Sequence, residues 1–90
     1  MHWQFPKHIL ITPIEPEAVL LNTITGDNYV LNPLGLAICA SIQEGCNQTQ
    51  GIIDRLSEYF PDRMGTIPAD VTEFMMALQA EGAIEEIAND

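Results

Sequence analysis

Histidine and cysteine are the side chains most often recruited for metal and nucleophile chemistry, and this chain carries two of each: His2, His8, Cys39 and Cys46. Both histidines lie near the N-terminus. His8 falls on the edge of a predicted strand and reads as packed or solvated rather than catalytic. Cys39 sits in an apolar helical stretch, and Cys46 follows seven residues later in a polar loop. There is no Cys-x-x-Cys pair, and four zinc ligands cannot be assembled from this set. The chain also lacks a Ser/His/Asp set, a glycine-rich phosphate loop, and a histidine beside a carboxylate on a helix. Glu85, Glu86 and Asp90 cluster at the C-terminus as a solvated tail. The expectation is a protein that is not an enzyme, holds no metal and needs no cofactor.

Charge narrows the partners. Thirteen acids face three bases (Lys7, Arg55 and Arg63), a net charge of −10 over 90 residues. Phosphate recognition needs clustered Lys and Arg, so nucleic acid is excluded as a partner, and an anionic membrane surface is disfavoured on the same ground. The longest apolar run, residues 34–42, is too short to span a bilayer. No basic n-region followed by an apolar h-region opens the chain, which is therefore expected to be cytoplasmic with reduced thiols. In that setting the sequon Asn47-Gln48-Thr49 carries no meaning. At 47% hydrophobic and 18% charged residues, residues 1–90 are expected to form a single globular domain.

The elements that must position any site follow from patterning. Lys7 to Thr12, bounded by Pro6 and Pro13, predicts a first strand. Glu17 to Thr23 predicts a second, with Val19 and Leu21 on one face and Leu20 on the other. Thr25-Gly26-Asp27-Asn28 has hairpin-turn chemistry, and Tyr29 to Leu31 returns as a third strand. Asn32-Pro33 then announces a helix by its cap and first-turn preferences. Leu34, Ala37, Ile38, Ser41 and Ile42 form its buried face, and Gly45 ends it. A second helix is predicted from Asn47, with Gln50 completing a capping box, up to Pro61. A third opens at Pro68, carries Asp70 and Glu73 in its first turns, and stops before Gly82. Residues 83–87 form a short extended tail. The class is α+β: a three-stranded antiparallel sheet followed by three helices, a winged helix-turn-helix.

That architecture serves both DNA readers and peptide binders. From Pro68 to Gly82 the third helix has no Lys or Arg and three acids, Asp70, Glu73 and Glu81, so duplex DNA would be repelled. The meander leaves two sheet edges. The first strand is blunted by flanking prolines and a lysine, whereas the third has neither device. An extended peptide can add there as a fourth strand.

The segments "VLLNTITGDNYVLNPLGLAI", "QEG", "IIDRL" and "DVTEFMMALQAEGAI", in this order over roughly residues 17–84, resemble the PqqD-like family of RiPP recognition elements. The resemblance implies a small winged helix-turn-helix protein that binds the leader segment of a ribosomally made precursor peptide. Such a protein hands the peptide to a modifying or processing enzyme and catalyses nothing. It places the peptide-binding site on Asn28, Tyr29, Val30 and Leu31 of the third strand and on Asp70, Val71, Phe74, Met75 and Leu78 of the third helix. "LNPLG" is more similar to the stand-alone elements of lasso-peptide systems, which implies a leader peptidase of the cysteine-protease type as partner, with another maturase as the other option. The alternative is a winged helix-turn-helix interaction or regulatory domain with no role in peptide maturation.

A 100° helical step assigns the flanks of the third helix. Val71, Leu78 and Gly82 point to the core, Phe74 lies on one flank, and Met75 and Gln79 lie on the other with Met76 beyond. A flexible thioether beside an open strand suits varied apolar anchors. Met75 is therefore expected to border the peptide groove, with Phe74 bracing it.

Overall fold

A computed structural model describes residues 2–87. Asp90, counted above in the acidic tail, lies outside them. In chain order the elements are β1 (His2–Gln4), β2 (Ile9–Ile14), β3 (Glu17–Asn22), β4 (Asn28–Leu31), α1 (Pro33–Gln43), α2 (Thr49–Tyr59), a 3-10 turn (Pro61–Arg63), α3 (Ile67–Ala80) and β5 (Glu85–Ile87). Strands β2, β3 and β4 form the expected antiparallel meander, with β4 at one edge. The three helices follow as expected. The sequence reading lacked a second, two-stranded sheet, in which β1 pairs antiparallel with β5 and brings His2–Gln4 beside Glu85–Ile87.

β2 runs on through Pro13 rather than stopping before it, and the hydrogen-bond phase explains why. The Thr23 N–H donates to the His8 carbonyl at 2.9 Å. Bonded pairs alternate along an antiparallel ladder, so with this register Leu10, Thr12 and Ile14 bond to β3. Pro13 therefore lies in a position whose missing N–H faces the open edge. There it costs the ladder nothing and blunts that edge.

Asn32 caps α1 as predicted, its Oδ1 accepting from the Gly35 N–H at 2.8 Å. Gly82, at φ +71°, closes α3, where the Ala83 N–H donates to the Leu78 carbonyl at 2.8 Å. The predicted cap of α2 is corrected. The helix begins at Thr49, with Gln48 in the cap position and no side-chain cap. Asn47 is committed to β1 instead: its Nδ2 donates to the Trp3 carbonyl at 3.1 Å, and its own carbonyl accepts from the Trp3 N–H at 2.9 Å. The Trp3 indole N–H donates to Thr49 Oγ1 at 2.9 Å. Gln50 bonds to Asp54 rather than back to a cap.

The core joins Leu20 of β3 and Ile38 of α1 to Ile52 and Leu56 of α2 and to Ile67, Val71 and Met75 of α3, with Trp3 sealing one side. Of the face predicted for α2, Ile52 and Leu56 are buried, Ile53 and Phe60 are partly covered, and Tyr59 is exposed. Among the described residues no helix is long and apolar enough to cross a membrane.

Candidate functional site

The free edge of β4 has a definite polarity of bonding. The Asn22 N–H donates to the Asp27 carbonyl at 2.9 Å, and with the β3–β4 register the alternation assigns Tyr29 and Leu31 to bonds with β3. The N–H and C=O groups of Asn28 and Val30 therefore point away from the sheet. Four main-chain groups stand in a row with no strand beyond them among the described residues, a template for one more strand.

Side chains alternate across the same strand. Leu31 is buried and Tyr29 half-buried on the core side, whereas Asn28 and Val30 face outward, Val30 with 72% of its surface exposed. Between β4 and α3 runs a groove of about 430 Å³ lined by Tyr29, Val30, Leu31, Phe74, Ala77 and Leu78, with Ala80 and Glu81 at its far rim. Residues 74, 77, 78 and 81 recur at the three- and four-residue spacing of one helix face. The two alanines leave the space that larger side chains would fill.

Phe74 divides this groove from a second hollow of about 330 Å³, lined by Asn32, Leu34, Gly35, Arg63, Asp70 and Glu73. A Cβ on Gly35 would stand 3.0 Å from Phe74 Cε1 and 3.1 Å from Leu31 Cβ. The missing side chain at Gly35 is thus what lets the start of α1 come close to both groove walls. At the opposite end the Tyr29 hydroxyl donates to Glu81 Oε2 at 3.1 Å, tying β4 to the end of α3. This bond favours the neutral phenol, and the charges of Glu81 and Asp27 oppose its ionisation, so Tyr29 is held above its ordinary pKa.

Of the residues expected at a peptide site, Tyr29, Val30, Leu31, Phe74 and Leu78 converge on the groove, and Asn28 stands at the end of its open edge. Asp70 lies in the adjoining hollow. Val71 and Met75 do not face the groove. Val71 is fully buried, and Met75, at 2% exposure, packs in the core with its outer side toward a separate cleft formed with Trp3, Thr49, Thr72, Met76 and Gln79. The expected flanks are therefore reversed: Phe74 walls the groove, and Met75 is core. On that side Trp3 of β1 and Thr49 of α2 stand across the cleft from Met75, so the Met75 flank faces the body of the protein rather than the open edge of β4. Sequence reasoning missed Gly35, Ala77, Ala80 and Glu81. Two of these carried a signal, since Ala77 and Glu81 share Phe74's face at i+3 and i+7.

Among the described residues no three His, Cys, Asp or Glu side chains converge as a metal site. Cys39 is buried and Cys46 partly covered, both as free thiols.

Fold and edge together define a winged helix-turn-helix domain with an open strand above an apolar groove. The sequence pattern of the family described as coenzyme PQQ synthesis protein D (PqqD) matches residues 17–84, and the chain belongs to the PqqD family. Its fold is similar to that of TbiB1, solved in complex with the TbiA(beta) leader peptide. The TM-score is 0.82 at 24% sequence identity, covering 96% of this chain and 99% of that one. No curated protein sequence matches the chain.

Proposed function

We propose that this protein is a RiPP recognition element, which binds the leader segment of a ribosomally synthesised precursor peptide and presents it to a modifying or processing enzyme. The leader adds to β4 as a fourth strand, bonding to the N–H and C=O groups of Asn28 and Val30. Its side chains on the protein-facing side enter the groove walled by Phe74 and Leu78. The observation that carries this reading is the coincidence of an unpaired, unblunted strand edge with an apolar groove of side-chain size beside it. Membership of the PqqD family supports it, as does the likeness to a fold solved with a leader peptide bound. The protein acts here by binding rather than catalysis.

Each strand-pairing hydrogen bond contributes roughly 0.5–1.5 kcal/mol net, and each apolar anchor about 1.5–3 kcal/mol. Ordering the leader costs roughly 2–5 kcal/mol. The partner enzyme in this reading is a leader peptidase of the cysteine-protease type or another maturase. Such a partner fits the lasso-like "LNPLG" segment at the start of α1, where Asn32 caps the helix and Gly35 admits Phe74. Residues 1–90 act as one leader-binding domain in the cytoplasm, where precursor peptides are made.

Isothermal calorimetry with the leader encoded by the neighbouring short open reading frame tests the proposal. Binding near or tighter than micromolar with a negative heat-capacity change is expected. Tight binding of duplex DNA at physiological salt, with none of the leader, overturns it.

A further inference from the structure

Glu81 occupies the C-cap of α3, where the last carbonyls of the helix already concentrate negative charge. A carboxylate there opposes the helix dipole, and departures from a local rule tend to mark functional positions. Neither β4 nor α3 contains a Lys, Arg or His to offset it. The ion pair seen among the described residues, Arg55 with Glu44, belongs to α2 and the end of α1. What Glu81 does have is the Tyr29 hydroxyl, which holds Oε2 at the Asn28 end of the groove and leaves Oε1 without a partner among the described residues, at a mouth whose walls are otherwise mostly apolar. Asp27, in the turn leading into β4, adds negative charge on the same side, and its field reaches the Tyr29 phenol. The other end of the groove differs. Beyond Phe74, Asp70 and Glu73 share their hollow with Arg63, which offsets one of the two charges. The potential along the open edge therefore becomes more negative toward Asn28, next to four main-chain groups that call for an extended peptide.

We propose that Glu81 sets charge specificity at this groove: the peptide that binds carries an apolar anchor against Phe74 and Leu78 and, toward the Asn28 end, a Lys or Arg whose cation meets Oε1 of Glu81. The inference rests on the peptide-binding reading and deepens it. A peptide with Asp or Glu at that position is repelled, and one with a neutral residue loses the ion pair.

The test works whichever leader is the natural one. A display library of random linear peptides is selected against the full chain, against Glu81→Gln, and against Glu58→Gln, which neutralises an exposed carboxylate on α2 that lines neither the groove nor the adjoining hollow. Glutamine keeps an acceptor for Tyr29, so the substitution removes charge and preserves the bond, and circular dichroism verifies the fold. Peptides enriched on the wild-type and Glu58→Gln chains are expected to pair an apolar residue with a nearby Lys or Arg. Replacing that base by Gln should weaken binding about fivefold, the upper range for one exposed ion pair. The preference should fade in about 0.5 M salt and be absent from peptides selected on Glu81→Gln. Enriched peptides without a basic preference, or a preference that persists on Glu81→Gln, overturn the role of Glu81 while leaving the groove a peptide site. Failure to enrich any peptide removes the peptide-binding reading, and the role of Glu81 with it.

Discussion

Phe74 and Met75 are neighbours on α3 with opposite duties. Met75 fills core space beside the cleft that Trp3 and Thr49 line, whereas Phe74, half-buried, separates the groove along β4 from the hollow at the start of α1. Truncating each separates stability from binding. Met75→Ala should lower the unfolding free energy by about 2–5 kcal/mol, as buried Met-to-Ala changes do. Phe74→Ala should leave the protein folded and weaken leader binding at least tenfold, about 1.4 kcal/mol. Paired denaturant melts and leader titrations check both, and a Phe74→Ala protein that binds normally would remove the ring from the groove. Cys39 offers a second residue-level check. Burial pushes its thiol up to about 12, so at about pH 8 it is un-ionised as well as enclosed. Alkylation of the native protein should label Cys46 first and leave Cys39 untouched until the chain unfolds, as peptide mass mapping will show. For Phe74 and Met75, the helical wheel saw that both flank a stripe. It could not tell which flank faces the body of the protein, because Trp3, across the cleft from Met75, sits some seventy residues earlier and belongs to a strand too short to signal itself.

At the scale of elements, the boundaries that sequence reasoning placed well are those set by local chemistry. The Asn32 cap with Pro33, the Gly45 and Gly82 stops, and the Gly26 turn all stand where their own backbone preferences put them. The misplaced ones were decided by distant partners. Pro13 stays inside β2 because its N–H would face away from β3, and Asn47 leaves the cap of α2 because Trp3 claims both its side chain and its carbonyl. The same ladder phase that tolerates Pro13 makes a sharp prediction for β4. Proline at Val30 removes an outward N–H and no bond to β3, so Val30→Pro should keep its circular dichroism spectrum and lose leader binding. Proline at Tyr29 removes an inward N–H and should destabilise the meander itself. Unchanged leader affinity in a folded Val30→Pro protein would place the peptide elsewhere.

For the molecule as a whole, order and spacing in the sequence sufficed for the β2–β4 meander and the three helices, since each announces itself locally, but not for the β1–β5 sheet, whose two short strands meet across nearly the whole length of the chain. The open edge of the candidate site was legible too, because β4 visibly lacks the devices that blunt β2. The depth of the groove beside it was not. The groove exists because Gly35 admits Phe74 and because Ala77 and Ala80 leave space beside β4, and such gaps are properties of packed surfaces rather than of any one segment. Amide hydrogen exchange read by NMR tests most directly whether a leader pairs with the open edge of β4. In the free protein the amides of Asn28 and Val30 should exchange fast while those of Tyr29 and Leu31, bonded to β3, are protected. Adding the leader should slow Asn28 and Val30 by at least tenfold. A leader that binds while those two amides keep exchanging at their free rate would contradict strand addition at β4.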